Sequence, residues 1–295
     1  MNEEDDEVLM ARLAGVFMIL TSSLGLHLNV SVFFHFLSLE RTSFYLMCIS
    51  KTISNSLVLL AYLAYNGPSA LLYTYIGPEI LNRYLNQAIG YGIYLQGPLT
   101  QTLISVNRFL VVFFSPTQTP RYSNQVTVAA LSLCWLVSLY FSTMIGYPDD
   151  CLMRFSVKNL YWKAGYCSGL AGFILENIMY LIVPIGFFSN FVNLLLAVKL
   201  CIASKTRHLS SETSRHRQKT SMRLFLQNCF QDWIYVLDTA NSLYIRHFVC
   251  QKFLVTLGSN LLVHVADGFI MYIFNMRNRE TPRKRVRPVT IVISQ

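Results

Sequence analysis

Four charged side chains stand in stretches of this sequence that are otherwise apolar: Lys51, Asp232, Asp238 and Asp267. Ionisable groups in such a setting mark functional positions, and each needs a partner. Depth can be read at about 1.5 Å per helical residue. Lys51 then lies about 10 Å from one end of its stretch, Asp267 about 12 Å and Asp232 about 13 Å. Three charges of mixed sign share one layer. Lys51 is expected to pair with Asp267 or Asp232, either as a static tie or as a switch that a helix movement breaks. Asp238 lies nearer the opposite end. It faces away from Asp232, about 240° around the same helix. It suits a cationic ligand group, or a bond to a neighbouring helix.

A second constellation is Tyr91, Tyr94, Gln96, Gly97, Pro98, Thr100 and Gln101. Gly-Pro should kink or loosen a helix. Tyrosine and amide groups beside that point form either a pocket wall or ordinary interhelical hydrogen bonds. Tyr91, Tyr94, Gln96, Gln101 and Asp238 are the ligand-binding candidates. No catalytic or metal site is expected. His27, His35 and His264 are scattered, the cysteines lack metal spacing, and no cofactor motif is present.

The elements that must hold these groups follow from composition. The chain has 295 residues, 53% apolar and 13% charged, against roughly 25% charged for an ordinary soluble domain. Its mean hydropathy is +0.41. Both a soluble domain of this size and a disordered chain are excluded. Seven apolar stretches each reach the ~20 residues that cross a hydrocarbon core: 8–36, 44–66, 86–112, 126–147, 172–200, 223–245 and 253–275. Nine charged residues fall inside them. Strand-like alternation is missing, so the spans are helices. The expected fold is an all-α bundle of seven transmembrane helices.

Sixteen lysines and arginines fall on one side of this topology and six on the other. The positive-inside rule puts the sixteen in the cytoplasm. Residues 1–7 are then a short acidic outer N-terminus, 8–275 the membrane domain and 276–295 a basic inner tail. The acidic start and long apolar run do not suit a cleaved signal peptide. The net charge of +9 reflects orientation and attraction to anionic membrane lipid rather than nucleic acid. Of seven cysteines, Cys151, Cys167 and Cys250 face the oxidising side. Cys151–Cys167 is the favoured disulfide, closing a loop worth ~3 kcal/mol. Three unpaired thiols, or Cys250 as one partner, are the alternatives.

Several motifs recur together. Gln101-Thr-Leu-Ile-Ser-Val-Asn107-Arg108-Phe109 is followed by Pro116. The outer loop holds Cys151, Trp162 and Cys167. The sixth span reads Phe225-Leu-Gln227-Asn-Cys-Phe-Gln231-Asp232, and the seventh His264-Val-Ala-Asp267-Gly268-Phe269-Ile270-Met271 and then Asn275. From about residue 10 to 275 the chain resembles the nematode serpentine chemoreceptors of class X, a family of G-protein-coupled receptors. The resemblance implies a chemosensory receptor that detects a small or volatile external ligand. It implies a heterotrimeric G protein as partner and the plasma membrane of a sensory-neuron cilium as location. Arg108 would occupy the place of the arginine in the rhodopsin-like Asp-Arg-Tyr motif. Here Asn107 replaces the acid, and the base of span six reads Lys219-Thr-Ser-Met-Arg223. An ionic lock is therefore not expected, and Arg108 must rest on another acceptor.

A ligand moves such a bundle only as far as it prefers one state. Opening the inner ends of spans three, five and six would present Arg108, Arg121, Arg215, Arg217 and Lys219 to a partner. The bland reading of these cations is a topology signal. Three other functions compete with this one. An opsin needs a lysine within span seven, and none lies between Phe253 and Asn275. A three-plus-one-plus-three transporter should show parallel repeats, which are not visible. A peptide or amine receptor outside chemosensation remains open on these residues.

Overall fold

In the computed structural model, residues 3–39, 42–114, 120–144, 151–163, 165, 169–206, 212–243, 253 and 257–276 are described. They form seven long helical segments and one hairpin. Helix α1 is Glu3–Leu37. Helix α2 runs over 43–72, with a π-turn at Tyr62–Asn66. Helix α3 runs over 79–114, with a π-turn at Ala88–Gly92. Helices α4, α5, α6 and α7 are Pro120–Thr143, Gly169–Thr206, Glu212–Leu243 and Ser259–Asn275. Strands β1 (Arg154–Ser156) and β2 (Tyr161–Lys163) pair antiparallel, Phe155 opposite Trp162.

The helix ends differ from the apolar runs where charge can still be helical. The acidic residues from Glu3 belong to α1 rather than preceding it, because carboxylates suit the positive end of a helix dipole. The basic stretch from Glu212 is already α6. In α2 the ladder shifts at the π-turn just before Pro68, which has no N–H to donate. In α3 the irregular turn falls at Ala88–Gly92, one turn before the expected Gly97–Pro98 break, and the helix continues through Pro98.

Each helix divides into a buried stripe and an exposed apolar face. On α1, Ala11, Ala14, Met18, Ser22, Asn29, Val32 and Phe36 are buried at i, i+3, i+4 spacing. Leu13, Leu20, Leu24 and Phe34 point outward, the arrangement lipid favours. Gly15 lets α1 approach α2 closely, since a Cβ there would sit 2.8 Å from the Gly67 carbonyl oxygen. Four segments are long and apolar enough to cross a membrane by length and composition: Asp5–Leu37, Ser43–Leu72, Asn124–Thr143 and Ile182–Ile202. Helices α3 and α6 are diluted by the buried polar groups described below, and α7 is 17 residues long. Around the bundle, α1 packs on α2 and α7, α2 on α3, α3 on α4 and α5, and α6 on α5 and α7.

The hairpin plugs one end of the bundle. Phe155, Val157 and Leu160 join a cluster with Met18, Leu59 and Ile89. Asn82 of α3 bonds both backbone groups of Phe155, at 3.0 and 3.1 Å. The Trp162 indole donates to Asn86 Oδ1 at 2.9 Å. Lys158 meets Glu7 of α1 at 3.2 Å. Glu79 accepts from Arg83 at 2.7 Å and from Arg154 at 3.3 Å. The hydrogen bond from Arg83 holds its carboxyl below the ordinary carboxylate range.

Candidate functional site

The buried polar residues of α3, α6 and α7 meet in one layer. Lys51 Nζ of α2 lies 2.8 Å from Asp267 Oδ1 of α7, and neither side chain is exposed. The same ammonium donates to Gln101 Oε1 of α3 and stands 5.1 Å above the Tyr235 ring. Asp267 also accepts from Gln231 Nε2 at 2.8 Å and from Asn55 Nδ2 at 2.6 Å. Asn55 bonds Asn29 of α1 and meets His264 Nδ1 at 2.9 Å. Lys51 thus pairs with Asp267, and both charges keep several neutral donors or acceptors, as a buried pair requires.

Asp232 belongs to the other half of the layer. Its carboxylate accepts from Ser189 Oγ at 2.9 and 3.0 Å and from Asn193 Nδ2, both on α5. Asn193 Oδ1 accepts from Asn228 at 2.8 Å, and Asn228 also donates to Ser105. Gln101 Nε2 closes the chain by donating to Asn228 Oδ1 at 2.6 Å. One hydrogen-bonded network therefore runs from Asp232 to Asp267 and touches α1, α2, α3, α5, α6 and α7. Sequence spacing placed the three charges in one layer. It gave no sign of Asn193, Asn228 or Ser189 as the links, because lone amides and hydroxyls in a span are common.

A cavity of about 170 Å³ opens between α3, α5 and α6. Gln101, Ser189, Asp232 and Tyr235 form its polar wall, and Ile182, Val183, Phe187 and Val236 its apolar one. Of the five ligand-binding candidates, Gln101 alone is in this wall. Gln96 faces α4 instead, 3.0 Å from Ser138 Oγ. Tyr94 donates to Asp238 Oδ2 at 2.6 Å, and Ser259 donates to Asp238 Oδ1. That buried bridge forms a cross-tie of α3, α6 and α7. Tyr91 packs with Phe141 and Ile174 around Cys151. Helical spacing could have found Asp232 and Tyr235 together, since both fall on one face with Thr239.

Gly97 gives Tyr235 its place. A Cβ at residue 97 would lie 2.7 Å from the Tyr235 ring. Gly97→Ala is therefore expected to destabilise by about 1–3 kcal/mol through overpacking. Adding Tyr235→Ala should then cost less than the two single losses summed. Thermal denaturation of the three variants in detergent tests this; simple additivity would mean the two residues do not press on each other.

At the other end of α3, the Arg108 guanidinium lies over the Phe44 ring of α2, 4.6 Å from its centroid. Arg108 is 9% exposed, and its Nε and Nη2 have no hydrogen-bond partner among the described residues. It lines a second cavity of about 160 Å³ with Asn107, Phe44, Leu196, Leu200 and Leu224. The resting acceptor of Arg108 is an aromatic face rather than a carboxylate. Cys151 is disulfide-bonded. Cys48, Cys134, Cys201 and Cys229 carry thiols. Cys167 lies outside the described residues. So do the side chains of Arg121, Arg215, Arg217 and Lys219, and the tail beyond Met276.

Residues 19–275 match the family of serpentine type 7TM GPCR chemoreceptors, Srx. The chain is 24% identical to serpentine receptor class X 45 of Caenorhabditis elegans over 307 aligned positions, covering 94% of this chain and 82% of that protein. Among solved structures, squid rhodopsin superposes with a TM-score of 0.72 at 15% identity, over 92% of this chain and 83% of the other.

Proposed function

The chain belongs to the Srx family of serpentine seven-transmembrane G-protein-coupled chemoreceptors, and from that premise we propose that it detects a small external ligand and activates a heterotrimeric G protein. The observation that carries this reading is the continuous polar network. It starts in the cavity wall at Asp232 and Gln101 and ends at the Lys51–Asp267 pair. A ligand that rearranges one end changes the contacts of six helices at once. Differential contacts of that kind are what a population shift requires. The N-terminus lies outside and the basic tail inside, on the charge bias. The location is the plasma membrane of a sensory-neuron cilium, with Cys151 bonded to Cys167 in the outer loop.

On the inner side, Arg108, Arg121 and the basic start of α6 form the partner surface. Alanine at Arg215, Arg217 and Lys219 together is expected to cut ligand-evoked signalling while leaving the surface level unchanged. Surface labelling beside a calcium reporter reads both, and unchanged signalling refutes the contact. The deciding experiment is nucleotide exchange on a purified G protein with the receptor in lipid nanodiscs, screened against odorant and metabolite pools. Exchange evoked by a pool supports the receptor reading. Substrate uptake into vesicles without exchange would replace it with a transporter.

A further inference from the structure

We propose that the cavity between α3, α5 and α6 takes a lipophilic amine that arrives through the bilayer and sets its ammonium head on Asp232. This rests on the receptor reading above and names the chemistry of its ligand.

Two side chains of the cavity wall have unmet capacity. Asp232 is 3% exposed and is held by neutral donors, Ser189 and Asn193 of α5 and Gln101 of α3. It takes part in no ion pair among the described residues, whereas the other carboxylate of the layer, Asp267, has Lys51. A buried carboxylate without a counter-charge is costly, and it offers about four acceptor positions. A cationic head supplies the missing charge. Tyr235 is 4% exposed, and its hydroxyl has no hydrogen-bond partner among the described residues. It can accept from the same ammonium. The opposite wall is apolar, so the body of the ligand is hydrocarbon.

The route follows from what closes the outer side. Above the cavity, Tyr94 is bonded to Asp238, and Tyr94, Leu95, Ile182, Tyr235 and Val263 pack as one cluster. The cavity rim, by contrast, includes Phe187, which is 69% exposed. Phe187 is at the middle of the 38-residue α5, about 27 Å from either end. The hydrocarbon half-thickness is about 15 Å. The exposed rim therefore faces lipid. An alkylamine partitions into that layer as its neutral base, and the proton that makes its head an ammonium comes from the Asp232 carboxyl group, which keeps it while no counter-charge is at hand.

The test uses the full-length receptor in nanodiscs and tritiated n-octylamine as probe. Saturable binding is expected. Shortening the chain from octyl to butyl should weaken it about three- to fourfold per methylene, and octanoate should not compete. Asp232→Asn should weaken binding by about tenfold or more, the loss of a charge-assisted contact. Ala240→Phe fills the cavity away from the polar network and should abolish binding; it decides the matter if Asp232→Asn does not fold. Phe187→Trp at the rim should slow association severalfold at similar affinity. Equal binding by wild type and folded Asp232→Asn overturns the proposal, as does competition by octanoate. If Asp232→Asn does not fold, retained binding by Ala240→Phe overturns it. An unchanged association rate in Phe187→Trp overturns the bilayer route. Nucleotide exchange on the same nanodiscs separates the two readings. Exchange evoked by other chemicals without amine binding removes the amine alone; amine binding with no exchange by any pool removes the receptor reading alone.

Discussion

Lys51→Met is expected to remove most of the receptor from the cell surface. The ammonium and the Asp267 carboxylate are both fully buried and 2.8 Å apart. Taking one away leaves a charge in the bundle interior with neutral donors only. Breaking such a pair costs about 3–5 kcal/mol, a large part of a total stability of about 5–15 kcal/mol. Asp267→Asn should fail in the same way. The double variant Lys51→Met with Asp267→Leu removes both charges and should recover most of the surface level, because a packed apolar pair replaces a buried ionic one at little cost. Its signalling should not recover, since Gln101 and Asn55 then lose the groups that tie α3 and α2 to α7. Flow cytometry of tagged receptor and nucleotide exchange give the two readings. Normal trafficking of Lys51→Met would show that the pair does not hold the bundle together. Rescue of Lys51→Asp by Asp232→Lys, and not by Asp267→Lys, would move the pairing to Asp232.

Phe44→Leu is expected to raise basal nucleotide exchange. The Phe44 ring is what the Arg108 guanidinium rests on. A cation–π contact is worth about 0.5–2 kcal/mol. Its loss shifts a two-state equilibrium about 2- to 30-fold toward the form with Arg108 released. Phe44→Tyr keeps the ring face and should stay near wild type. Arg108→Ala should abolish evoked exchange in every background, including Phe44→Leu, because the exposed group itself is then missing. Basal exchange measured at matched receptor density decides the matter. An unchanged basal rate in Phe44→Leu would mean that the ring does not hold the arginine back.

These expectations differ in how much of them the sequence carries. The Lys51 pairing needs only depth along each helix, which follows from counting residues between the inner end and the charge. The choice of Asp267 over Asp232 needs the rotation of α6 and α7 about their axes, and counting does not give that. The Phe44 contact is further out of reach. An arginine without a carboxylate nearby in sequence says that another acceptor exists, but any aromatic ring of α2 would serve equally.

The ligand-binding candidates show the same division. Tyr91, Tyr94, Gln96 and Gln101 are neighbours in one helix, yet they go four ways. Tyr91 goes to Cys151, Tyr94 to Asp238, Gln96 to α4 and Gln101 to the cavity. Successive positions rotate by about 100°, so a cluster in sequence is dispersed in a bundle. The same rotation separates the two carboxylates of α6: Asp232 lines the cavity, and Asp238 makes the bond to neighbouring helices that is one of its two expected readings.

By itself the sequence determined the solvent of this protein, its seven helices and its family. Those follow from composition, from runs long enough to cross hydrocarbon, and from short motifs that survive without coordinates. It also determined that charge must be neutralised inside the bundle, since lipid and packed apolar side chains offer no other solvation. The tertiary structure alone decided which charge meets which. It also left Asp232 facing a cavity with no ion pair among the described residues and turned Arg108 onto a ring. Each of these depends on the azimuth and spacing of two or three helices, which are settled by the packing of whole faces rather than by any residue's own neighbours in the chain.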